Sequence, residues 1–85
     1  MVKEDLDKWA EHHSATLETV AVNGREYILG AASKSCVAVF RRSGEDEYTP
    51  VCIARDKNGA KLCVCRREGV TMDELSVIKE DIANE

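Results

Sequence analysis

The chain contains two Asn-Gly steps, Asn23-Gly24 and Asn58-Gly59, each flanked by runs that alternate in side-chain character. An Asn-Gly pair supplies the two left-handed residues of a type I′ turn, whose twist matches that of paired strands, so each step predicts a tight β-hairpin. The first would join residues 15–22 to 25–32. The second would join VCIAR to KLCVCRR within residues 51–67. Turn-forming stretches at Ala32-Ser33-Lys34-Ser35 and Ser43-Gly44-Glu45-Asp46 complete the pattern. The expected sheet is a five-stranded antiparallel β-meander with strands near 15–22, 25–32, 35–42, 48–55 and 60–67.

Helices are expected at both ends, which makes the fold class α+β in one small domain. Over residues 3–13, Leu6, Trp9, Ala10 and His13 recur at helical spacing and leave Lys3, Asp5, Lys8 and Glu11 to water. After Gly69, Thr71-Met72-Asp73-Glu74 fits a capping box, and Met72, Leu75, Ile78 and Ile82 form the stripe of a C-terminal amphipathic helix. Both faces of the predicted sheet are apolar. One carries Val37, Val39, Val51, Ile53, Leu62 and Val64; the other carries Cys36, Ala38, Phe40, Cys52, Ala54, Cys63 and Cys65. A solvated antiparallel face is ordinarily polar, so either a helix covers each face, the sheet curls strongly around one helix, or a homodimer hides the rest.

With 85 residues and 44% hydrophobic content, the composition is that of an ordered globule with a thin core. No apolar run reaches the ~20 residues of a membrane-spanning helix, and the first thirteen residues lack a signal-peptide pattern. A cytoplasmic protein is expected. Net charge is −4, with a basic central region between acidic ends, which argues against general nucleic-acid affinity.

Counting outward from Asn58-Gly59 sets Ala54 opposite Cys63 and Cys52 opposite Cys65, so the thiols share one sheet face. Cys36, Cys52, Cys63 and Cys65 are the residues of a metal- or redox-responsive alternative. Zinc sites of this type use C-x₂₋₄-C turns that wrap the ion, whereas Cys63-x-Cys65 lies along one strand, so the thiols read first as small reduced hydrophobes. If oxidised, Cys52 and Cys65 are the expected pair. His12 and His13 lie on another element and form no dyad by sequence. No P-loop, dinucleotide fingerprint, nucleophile elbow or zincin motif occurs, so no enzyme activity and no cofactor are expected.

The arginines are the best candidates for a binding surface. In a meander, the ends of the third and fifth strands share a margin, which groups Arg41, Arg42, Arg66 and Arg67 as forks for carboxylate or phosphate, with Glu45, Asp46 and Glu47 available to neutralise them. The expectation is an adaptor or stoichiometric inhibitor that binds a protein partner through a sheet edge, the arginine margin or an acidic helix. A nucleic-acid binder acting through the arginines is the further alternative.

Overall fold

The computed structural model describes residues 1–82, with residues 79–82 described by backbone alone. Chain order is α1 (Lys3–His12), β1 (Thr16–Val22), β2 (Arg25–Ser33), β3 (Cys36–Arg42), β4 (Tyr48–Ala54), α2 (Lys57–Glu68), a 3₁₀ turn at Met72–Glu74, and β5 (Ser76–Ile82). Among the described residues there are thus two α-helices and one five-stranded antiparallel sheet, the expected α+β class. The second helix and the fifth strand have exchanged places.

The first Asn-Gly step behaves as its chemistry predicts. Asn23 and Gly24 have φ of 54° and 73°, and Val22 pairs with Arg25 across the turn. β1 to β4 form a meander whose register continues through Leu29↔Val39 and Ala38↔Ile53.

The second step forms no hairpin, because Asn58 and Gly59 lie in the first turn of α2. Neither has positive φ. Asp56 caps the helix, its Oδ1 accepting from the Gly59 amide at 2.7 Å. That bond satisfies one of the amides a helix start leaves unpaired, and near a helix end Asn and Gly are tolerated. Gly69 then ends the helix in the left-handed region at φ 68°, as a C-cap glycine does. What looks like strand alternation in KLCVCRR is a helix that buries Ala60, Val64 and Cys65.

The C-terminal helix is replaced by a single turn and a strand. The capping box is made, with Glu74 accepting from the Thr71 amide at 2.9 Å, yet the turn ends at Leu75. The β-branched pair Val77-Ile78 then pairs with β1. Of the expected stripe, Met72 and Leu75 are half-buried and Ile78 is exposed, while the Ile82 side chain lies outside the described residues.

Strand order is β4-β3-β2-β1-β5, so the fifth strand adds to the far edge instead of beside β4. At about 4.8 Å per strand the chain must travel about 19 Å between these edges, and a twelve-residue helix spans about 18 Å. α2 makes that crossing over one face, where Ala60 and Val64 pack on Val20, Leu29, Val37 and Val39. On the other face Leu6 and Ala10 of α1 pack with Leu17, Ile28, Phe40 and Tyr48. The two apolar faces therefore take one helix each, the first of the three solutions the sequence allows.

Candidate functional site

α1 sits close to the sheet because β2 offers it a glycine. A Cβ on Gly30 would come within 2.6 Å of the Trp9 ring, so the absent side chain lets the indole lie against the strand. Trp9 meets Phe40 edge to face at 5.3 Å and His13 at 5.1 Å. The helix leaves the β3–β4 side of this face uncovered, and Ile53 there is 75% exposed. Between helix and strands lies an apolar groove of about 600 Å³, walled by Trp9 and His13 on one side and Pro50 to Ile53 on the other, floored by Ala38 and Phe40. It borders β4, which is an edge strand. Pro50 and the register shift opposite Val39/Phe40 interrupt that edge in its upper part.

The cysteines do not share a face. Cys36 lies on β3 beside Ala38 and Phe40 and lines the groove. Cys52 pairs with Val39, on the opposite face, and forms a disulfide with Cys63 of α2, so its partner is not Cys65. Cys65 is a buried free thiol with Sγ 3.8 Å from Met72 Sδ; burial, followed by the nearby Glu74 and Asp73 carboxylates, pushes its pKa up. The β3–β4 register separates Cys36 from Cys52, and the helical placement of residues 57–68 takes Cys63 and Cys65 off the sheet. No group of three or more His, Cys, Asp or Glu residues could hold a metal ion among the described residues.

The arginines stand on different elements from those expected. Arg66 and Arg67 belong to the last turn of α2 instead of a strand, and Arg41 and Arg42 end β3 on alternate faces. Arg67 lies near the Tyr27 hydroxyl, and Tyr27 is the register partner of Arg41. Arg42 binds Glu26 at 3.2 Å and the carbonyls of Gly44 and Glu45. The acidic loop thus gives Arg42 backbone oxygens, not carboxylates.

Two buried carboxylates were missed by the sequence argument. Glu68 closes the C-terminal end of α2 onto the first hairpin, accepting from the Tyr27 hydroxyl, from Arg25 at 3.1 Å and from Asn23 at 3.4 Å. The Tyr27 bond, ahead of those from Asn23 and Arg25, holds its carboxyl below the usual range against the opposing effect of burial. Burial, followed by the same carboxylate, raises the Tyr27 hydroxyl above its ordinary value. Glu18, 5% exposed on β1, faces Lys61 at 3.5 Å and Lys57 at 3.8 Å from α2. Its position was legible, since Glu18 shares its parity with Val20 and Val22 on the buried face.

No protein-family model matches this chain, and neither a search of curated proteins nor one of solved structures found a match.

Proposed function

We propose that the protein acts by stoichiometric, non-catalytic binding of another protein, as an adaptor or inhibitor in the cytoplasm, with the groove between α1 and β4 as its contact surface. The exposure of Ile53 on the side of the face that α1 leaves uncovered carries this reading. Isolated surface aliphatics are ordinary, but one standing beside an aromatic-floored apolar groove forms a contiguous patch. The adjacent edge strand offers backbone donors and acceptors, and an extended segment added there would send alternate side chains over the groove.

The groove is favoured over the arginine margin because Arg42 is already paired with Glu26 and Arg67 lies against the Tyr27 hydroxyl. Bait protein would be cross-linked in a lysate of the native host and its partners identified by mass spectrometry. A partner retained by Arg41→Ala/Arg67→Ala but lost with Ile53→Glu supports the groove; the reverse pattern, or salt-dependent recovery of nucleic acid, overturns it. The same face is open to a second copy, and sedimentation at several concentrations separates self-association from capture of a different protein.

A further inference from the structure

We infer that Cys52 and Cys63 are a reversible thiol–disulfide pair that fastens the β4 edge to α2, a modification site independent of what the groove binds. Three features carry this. First, the two residues lie on different elements, half-buried and not sealed in the core, so a small thiol or disulfide can reach them. Second, α2 does not depend on the bond for its position. Asp56 caps its start, Ala60 and Val64 fill the core on its inner face, Lys57 and Lys61 reach Glu18, and Glu68 fastens its end. A helix held in these ways keeps its place when the sulfurs separate, so the pair can open without unfolding the chain. Third, the other two cysteines remain free and do not compete: Cys36 is on the far face, and Cys65 is buried against Met72 with a raised pKa, which keeps it as the less reactive thiol.

The chemistry balances with a disulfide oxidant such as oxidised glutathione. One thiolate of the pair attacks the glutathione disulfide, forming a mixed disulfide and releasing one glutathione thiolate. The second cysteine, as thiolate, then attacks the protein sulfur of that mixed disulfide and expels the other glutathione. Two protein thiols lose two protons and two electrons, and one glutathione disulfide becomes two glutathiones. Val51 and Cys52 also line the groove, so opening the pair is felt at one of its walls.

The test uses the intact, folded chain, reduced and then equilibrated in glutathione buffers of graded ratio, with alkylation and mass mapping. The expected product is monomeric, has lost two thiols, yields a peptide linking Cys52 to Cys63, keeps Cys36 and Cys65 alkylatable after denaturation, and returns to four thiols on reduction. Hydrogen exchange of the β4 amides is expected to quicken at least several-fold on reduction while β1 and β2 are unchanged. A Cys52–Cys65 or intermolecular link, four surviving thiols under oxidising buffer, or identical β4 exchange in the two states overturns the proposal. In Cys52→Ser the mixed disulfide on Cys63 is expected to persist unresolved. Should that variant not fold, Cys65→Ser serves instead, and loss of the Cys52–Cys63 link in it has the same overturning force.

Discussion

At the residue scale, a few side chains make contacts whose chemistry is specific. Glu68 is the clearest: its folded pKa is depressed chiefly by the Tyr27 hydrogen bond, so its contribution is fully present above the unfolded carboxylate range and lost as pH falls through the folded value. Glu68→Gln is expected to lower the urea midpoint at neutral pH and to flatten its decline below about pH 4.5 relative to the parent. Tyr27 has the opposite sense. Its raised folded pKa gives stability that is present below the ordinary tyrosine range and fades as alkaline pH passes the folded value. Gly30 is a second fixed point. Gly30→Ala drives a methyl into the Trp9 ring, and a loss of about 1–3 kcal/mol with a shifted Trp9 emission is expected from denaturant titration followed by fluorescence.

At the element scale, the decisive event is residues 57–68 choosing helix over strand. The Asn-Gly step, the alternating LCVC and the β-branched Val64 all spoke for a hairpin, while Asp56 at the N-cap and Gly69 at the C-cap spoke for a helix. The caps are the better witnesses here because they bracket a run with helical i, i+4 spacing: Lys57 and Lys61 toward Glu18, Ala60 and Val64 toward the core. Asp56→Ala is therefore expected to cost about 1 kcal/mol in thermal or chemical unfolding. Gly69→Ala, forced to hold φ 68°, is expected to cost about 1 kcal/mol as well. Were residues 57–68 a strand, the cap substitution would leave stability unchanged. The exchange of roles at the C-terminus follows. Once α2 has crossed the sheet, Ser76-Val77-Ile78 arrives at the unpaired edge of β1, and a local capping signal cannot hold a β-branched run helical against a ladder of backbone partners.

At the scale of the whole molecule, a helix–sheet–helix sandwich resolves the two apolar faces but leaves the β4 side of the α1 face uncovered. None of the described helices is long and apolar enough to cross a membrane. Ile53→Glu removes the most exposed large aliphatic of that face and is expected to change stability by no more than about 0.5 kcal/mol, as checked by thermal melting. A large drop in melting temperature would mean that Ile53 supports the fold. What the sequence determined by itself is local: α1 from its apolar stripe, the hairpin at Asn23-Gly24, the turns that make the four-stranded meander, and the α+β class. What only the tertiary structure decided is where residues 57–82 go. Their local signals were balanced between two answers, and the balance was broken by burial of Ala60 and Val64 on the sheet and by the free edge of β1, neither of which exists until the meander has formed. That β4 remains an edge beside the groove, and that Cys63 and Cys65 leave the sheet, are consequences of that choice, so neither was visible in the order of residues alone.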